Sequence, residues 1–273
     1  MKYLIFGSNG WIGKQFIEYV QNNSSIEIVT ASSRCDDHNS VLFEIEYVNP
    51  DRVINFAGRT SGPGCPNIDF LDKPGNLPLG LQENLMGPIN IANICEKLNI
   101  HYTYLGTGCI YEGDENIMYT ENDIPNFSGN SYSIVKATTD QILKHYSNTL
   151  VLRIRLPIND TNEPKNLLSK LMNFKKINKA YNTYTVLPSL FPHAIQLIEN
   201  KTIGLLNFCN PGKMNFPEII ELFENKGLKL DYEILSEIPK NRANAVLDMT
   251  RLKTLCPDVK NVKEAIEDCI DKL

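Results

Sequence analysis

The first half of the chain alternates short apolar runs with stretches of helical periodicity. The runs Tyr3–Phe6, Glu27–Thr30, Arg52–Phe56, His101–Leu105 and Leu150–Ile154 predict strands. Gly10–Gln21, Asn84–Leu98 and Tyr132–Tyr146 predict helices; Leu85, Ile89 and Ala92, then Ile134, Ala137 and Leu143, recur at helical spacing. Strands that alternate with helices imply an α/β fold with a doubly wound parallel sheet. Between Thr60 and Gly80 glycine and proline accumulate, which predicts a long loop. After Pro157 the pattern loosens; Lys165–Lys179 reads as a basic helix, and Leu205–Phe208 as a strand returning to the main sheet. The expected division is therefore a dinucleotide-binding domain over residues 1–157, with a return strand near 204–210, and a smaller C-terminal substrate-binding lobe over 158–273.

Bulk properties narrow the partners. A length of 273 residues suits one doubly wound domain with an appended lobe. A formal net charge of -5 argues against a general electrostatic grip on nucleic acid or an anionic membrane. The opening apolar run is too short for a signal peptide, and no window approaches the roughly 18 apolar residues of a membrane span. Seven scattered cysteines without a CxxC pair fit free thiols in a reducing compartment, so a cytoplasmic location is expected. His38, His101, His145 and His193 lie far apart and carry no metal-ligand spacing.

Gly7-Ser8-Asn9-Gly10-Trp11-Ile12-Gly13 follows the first strand and opens a helix. Glycines allow a tight turn and close approach to a pyrophosphate, whose charge sits on the helix N-terminus. A lone glycine triplet also marks an ordinary strand-to-helix turn; placed here, it favours a dinucleotide. Gly7, Asn9, Gly10, Trp11, Ile12 and Gly13 are the candidate cradle, with Phe56, Ala57 and Gly58 after the third strand. The second strand ends in Ser33-Arg34 where an NAD site usually places an acid. Hydroxyls and an arginine suit a 2′-phosphate, so NADPH is expected, with NADH as the alternative. An exposed loop arginine is the plainer reading of Arg34.

Tyr132 and Lys136 form a YxxxK pair on one helix face. An ammonium nearby favours the phenolate of a tyrosine that otherwise titrates near about 10. Thr107 stands just past a strand, where its hydroxyl can polarise a carbonyl. The combination resembles the extended short-chain dehydrogenase/reductase superfamily.

A narrower resemblance rests on Leu105-Gly106-Thr107-Gly108-Cys109-Ile110-Tyr111-Glu112, Glu121-Asn122-Asp123-Ile124-Pro125-Asn126-Phe127 and Leu152-Arg153-Ile154-Arg155-Leu156-Pro157-Ile158, and continues through Asn166–Lys170 and Asn207–Gly212. These resemble the bifunctional UDP-4-keto-6-deoxyglucose 3,5-epimerase/4-reductases that complete UDP-L-rhamnose synthesis. Two stretches depart from that pattern: Val186-Leu187-Pro188, and Asn241-Arg242-Ala243-Asn244. The resemblance implies that Cys109 and Lys170 exchange protons at C3 and C5 beside the C4 ketone, that Thr107 and Tyr132 hydrogen-bond the enolate oxygen, and that Tyr132 protonates the reduced C4 oxygen. Lys136 would tune Tyr132 and hold the nicotinamide ribose. Taken alone, Cys109 also reads as a small buried hydrophobe and Lys170 as a solvated lysine.

Of Arg153 and Arg155, at the end of the fifth strand-like run, Arg155, beside Pro157, is the candidate, placed with the cofactor residues. Thr60, Asn84, Thr107, Asn166 and Arg242 are candidate substrate contacts, although Asn84 also reads as an N-cap. The expected partners are UDP-4-keto-6-deoxyglucose, a second copy of the chain paired through the helices at 84–98 and 132–146, and a separate 4,6-dehydratase. Two other functions fit the same residues: a reductase without epimerase activity, of the dTDP-4-dehydrorhamnose reductase type, and a non-catalytic dinucleotide-binding regulatory subunit.

Overall fold

A computed structural model describes all 273 residues. In chain order the elements are β1 (Lys2–Phe6), α1 (Trp11–Asn23), β2 (Glu27–Thr30), α2 (His38–Val48), β3 (Arg52–Asn55), α3 (Leu77–Leu81), α4 (Gly87–Leu98), β4 (His101–Thr107), β5 (Met118–Tyr119), α5 (Ser131–Leu143), β6 (Thr149–Ile154), α6 (Leu167–Leu171), β7 (Lys176–Ile177), α7 (Leu187–Glu199), β8 (Gly204–Asn207), α8 (Phe216–Glu224), β9 (Glu233–Ile234), β10 (Val246–Leu247), α9 (Thr250–Leu255) and α10 (Val262–Ile270).

Six strands form one sheet in the order β2-β1-β3-β4-β6-β8. β1 pairs in parallel with β2 and β3, and β3 with β4. The order reverses at β1 and β3, the switch point at which open α/β sheets bind ligands beyond their strand ends. The expected return strand is β8, at the sheet edge.

By contacts the chain divides into two compact units. The first comprises 1–106, 128–152 and 195–206, and the second 107–127, 153–194 and 207–273. Residues 107–127 and 153–157, placed by the sequence in the first domain, thus group with the second unit. The first unit packs its sheet and helices around Leu4, Phe6, Val53, Ile91, Tyr102, Tyr104 and Val151. The second has its own core, including Ile158, Leu168, Tyr184, Ile220, Phe223 and Ile266, and holds the two short sheets β5–β10 and β7–β9.

Three expectations need correction. The 60–80 segment is not a structureless loop: Gly62 and Cys65 form an antiparallel bridge, Ile68–Asp72 a 3-10 turn, and α3 follows. From α3 the chain runs through one π turn, Gln82–Met86, into α4, so Asn84 lies inside helical backbone and is not an N-cap. The basic stretch 165–179 is helical only over α6, then extends as β7.

Helix α2 has no counterpart among the expected elements. Val41, Phe43, Ile45 and Tyr47 alternate as in a strand, yet the segment coils. Asp37 caps it, accepting from Ser40 N–H at 3.2 Å, and only Val41 and Ile45 are buried. Phe43 and Tyr47 stack on its exposed face with centroids 6.1 Å apart.

Candidate active site

The glycine turn is built by backbone approach. Gly7 has a φ of 76°, in the left-handed region where a side chain is costly. A Cβ there would lie 2.3 Å from Ala57 N, and one on Gly13 2.4 Å from Gly7 O. Gly10 begins α1 without a side-chain cap, and the first turn carries no acid. The N-terminal amides of a 13-residue helix, flanked by Asn9, Trp11 and Ile12, are therefore arranged for an anion. Asn55, absent from the sequence candidates, shapes the facing turn. Its Oδ1 accepts from Ala57 N–H at 2.8 Å and its Nδ2 donates to Tyr102 Oη at 3.0 Å, fixing Phe56–Gly58. These features fit a dinucleotide pyrophosphate.

At the end of β2, Arg34 is largely exposed and its Nε lies 3.3 Å from Asp36 Oδ1. Ser33 spends both donors within the chain: its N–H on Glu44 Oε2 at 2.9 Å, its hydroxyl on Ser40 O at 3.0 Å. Burial raises the Glu44 carboxyl, but hydrogen bonds from Ser32 and Ser33 outweigh it and leave the group below its ordinary range. Of the pair, Arg34 is the one that offers charge to a ligand.

Tyr132 and Lys136 share the first turns of α5, capped by Asn130 accepting from Ser133 N–H at 2.8 Å. Lys136 is buried; its Nζ donates to the Tyr104 hydroxyl and, at 3.0 Å, to Leu105 O. Tyr104, not foreseen from the sequence, is thus the phenol bound by this lysine. Burial first, then the charges of Tyr132 and Asp140, hold Tyr104 well above the ordinary tyrosine range, so it stays protonated. Asn84 is wholly buried: its Oδ1 accepts from Arg59 N–H at 2.8 Å and its Nδ2 donates to Arg59 O at 2.9 Å. The Thr139 hydroxyl donates to the Asn84 carbonyl at 2.7 Å. Asn84 therefore joins the loop after β3 to α5, and beside it Thr60 is exposed.

In the second unit the turn after β4 carries Thr107 and Cys109. Thr107 Oγ1 accepts from Cys109 N–H at 3.1 Å, and Gly108 N–H donates to Ile154 O at 2.8 Å. Arg155, expected among the cofactor residues, lies instead against Cys109, with Nη1 3.6 Å from the sulfur. The Arg153 guanidinium sits 5.5 Å from the centre of the Tyr111 ring. Asn166, an expected substrate contact, is fully committed. Its Oδ1 accepts from Asn159 and Leu168 N–H, both at 3.2 Å, and its Nδ2 donates to Asn159 O and Thr161 O. Its role is to cap the helix that carries Lys170. Burial first, then the charge of Lys165, lowers the Lys170 ammonium from its ordinary value and raises its share of free amine. Arg242 is half-buried and donates to the neighbouring Asn241 O.

All seven cysteines are unpaired thiols, and no group of three His, Cys, Asp or Glu side chains converges as a metal site. Residues 3–159 match the NAD dependent epimerase/dehydratase family. The chain belongs to that family. Among its similar members is a protein of Acanthamoeba polyphaga mimivirus, 39% identical over all of this chain and 99% of its own. The crystal structure of that virus's UDP-rhamnose synthase superposes on the chain with a TM-score of 0.95, at 39% identity over 100% of this chain and 99% of that one. An Arabidopsis thaliana bifunctional dTDP-4-dehydrorhamnose 3,5-epimerase/dTDP-4-dehydrorhamnose reductase is 33% identical over 97% of this chain and 90% of its own. In a trifunctional Arabidopsis relative, whose name adds a UDP-glucose 4,6-dehydratase, the match at 32% identity spans 41% of that protein. A Clostridium acetobutylicum dTDP-4-dehydrorhamnose reductase shares the epimerase/dehydratase fold, with a TM-score of 0.82 at 19% identity.

Proposed function

We propose that the chain converts UDP-4-keto-6-deoxy-D-glucose to UDP-L-rhamnose, epimerising C3 and C5 and reducing C4. The observation that carries this reading is the full-length agreement with a UDP-rhamnose synthase at a TM-score of 0.95. The paired Tyr132 and Lys136, and a cysteine held by a buried guanidinium, support it.

The C4 ketone acidifies the protons on C3 and C5. Cys109 and Lys170 exchange them, and the lowered ammonium of Lys170 suits a group that must both give and take a proton. Thr107 and Tyr132 stabilise the enolate oxygen by hydrogen bonding. When bound, NADPH supplies the hydride that reduces C4. Tyr132 gives its proton to the new hydroxyl, and Lys136 holds positive charge near the phenol. Gly7–Gly13 and the Phe56–Gly58 turn hold the dinucleotide, and Arg34 meets its 2′-phosphate.

The reading extends to partners. The 4-keto sugar must be supplied by a 4,6-dehydratase activity. The chain pairs with a second copy through α4 and α5, whose neighbourhood exposes Met86, Ile134 and Ile142. No helix is long and apolar enough to cross a membrane.

The test is incubation with UDP-4-keto-6-deoxyglucose and NADPH in deuterated water, with the product identified by NMR. UDP-L-rhamnose labelled at C3 and C5 is expected. An unlabelled product of D configuration would establish a reductase alone, and no turnover would overturn the reading.

A further inference from the structure

Arg155 is 1% exposed, and its guanidinium pairs with no carboxylate. Nη1 donates to Gly108 O at 3.2 Å and Cys109 Sγ at 3.6 Å. Nη2 donates to Ala243 O at 2.8 Å and to Asn182 Oδ1, and Nε is buried without a partner. A guanidinium does not shed its proton, and buried charges are ordinarily balanced by an opposite one. Here the balance must come from a neighbour, and neither carbonyls nor an amide can ionise.

Three groups that can ionise stand in the field of Arg155: Cys109, Cys209 and Tyr184. Burial pushes the Cys209 thiol up to about 11, although hydroxyls of Thr185 and Thr183 and the charge of Arg155 pull it back. Burial likewise holds Tyr184 far above its ordinary range. The carboxylate acting on Tyr184, Glu218, is engaged elsewhere, accepting from Tyr181 Oη at 2.8 Å and from the backbone N–H of Asn215 at the start of α8. Of the three, only Cys109 receives a hydrogen bond from the guanidinium.

We propose that Arg155 is the positioning residue of Cys109, fixing its sulfur and supplying the positive charge against which it cycles between thiol and thiolate. This rests on the proposed epimerase reading. In the exchange the C–H bond beside the ketone breaks and an S–H bond forms; the C–H electron pair passes into the enolate. The proton later returns to carbon from the thiol or from Lys170, and at each stage the guanidinium faces the changing charge. The same side chain extends that control to a distant segment. Asn182 Oδ1, which accepts from Arg155, also accepts from Ala245 N–H at 3.2 Å. Ala243 and Ala245 are thereby tied to the sulfur's support, and Arg242 precedes them.

The experiment is alkylation of the full chain with iodoacetamide from pH 6 to 10, with each cysteine followed by peptide mass spectrometry. In the unmodified protein Cys109 is expected to react at pH 7 at least tenfold faster than Cys65, and equal or slower reaction would overturn the proposal. In Arg155→Met the Cys109 rate at pH 7 should fall at least tenfold and its profile move to higher pH, whereas Arg155→Lys should recover most of the rate. A wild-type profile in Arg155→Met would also overturn it. With substrate in deuterated water, Arg155→Met should lose label uptake by a larger factor than it loses NADPH oxidation. Absence of label in the wild-type product would instead defeat the epimerase reading, with the alkylation result standing apart from it.

Discussion

The ammonium of Lys136 donates to the hydroxyl of Tyr104 and lies 4.2 Å from the centre of that ring. One phenol therefore meets the lysine by a hydrogen bond and by its π face. The Tyr104 hydroxyl in turn points at the Asn84 carbonyl, 3.5 Å away. The lysine of the YxxxK pair is thus held from β4. Tyr104→Phe keeps the ring and removes the bond to a charged donor, which should cost about 2 kcal/mol in urea unfolding. NADPH turnover should fall several-fold; unchanged stability and rate would show that Tyr104 does not position Lys136.

Trp11, the single tryptophan, lies in the glycine turn and should report dinucleotide binding directly. NADPH is expected to quench its fluorescence in the wild type. Gly13→Ala places a Cβ 2.4 Å from a backbone oxygen that cannot yield without moving the turn. The variant should lose quenching by at least tenfold in apparent affinity while remaining folded by circular dichroism.

The two half-reactions should separate by substitution. Cys109→Ser is expected to abolish deuterium uptake at C3 and C5, because an alcohol is a far weaker acid than a thiol. Tyr132→Phe should instead slow reduction by about 10²-fold or more, the usual contribution of a positioned acid. NMR of the product and absorbance of NADPH measure the two separately. Normal uptake in Cys109→Ser would remove the sulfur from the mechanism.

Asn84→Ala deletes both side-chain bonds to Arg59 and leaves that residue's N–H without its partner. A loss of about 2 kcal/mol is expected, since an unpaired buried donor costs about 1–3 kcal/mol. The midpoint of urea denaturation measures it. A change below about 0.5 kcal/mol would show that Asn84 is dispensable to the loop after β3.

His101 is buried with its Nε2 2.7 Å from Thr202 O. Burial first, then Arg52 and Lys201, hold its imidazole below 6.5, against the pull of the Thr202 carbonyl. The unfolded chain then binds this proton at higher pH than the folded one. The stabilisation is present above about pH 6.5 and fades as pH falls through the folded value. Between pH 7.5 and 5.5 the wild-type Tm should fall further than that of His101→Gln. Parallel curves would exclude the effect.

Local chemistry wrote much of this into the sequence. The six main strands, the glycine turn and the Tyr132–Lys136 spacing are short-range patterns, legible because pleat, helix repeat and tight turn act over a few residues. Helix α2 escaped because its apolar residues alternate as in a strand; the Asp37 cap and the burial of Val41 and Ile45 decided otherwise. The π turn at Asn84 was equally hidden; the partners that Asn84 meets there, Arg59 and Thr139, are 25 and 55 positions away.

The sequence by itself determined the alternation of strands and helices and the residue types able to do proton chemistry. Tertiary structure alone decided what surrounds them: Tyr104 for Lys136, Asn55 for the turn after β3, and Arg155 for Cys109. Arg155 and Cys109 are 46 residues apart, and the other acceptors of that guanidinium, Asn182 and Ala243, lie 27 and 88 residues from it. No local periodicity records such a pairing. It forms because a buried guanidinium must find acceptors, and only the folded chain brings them within reach.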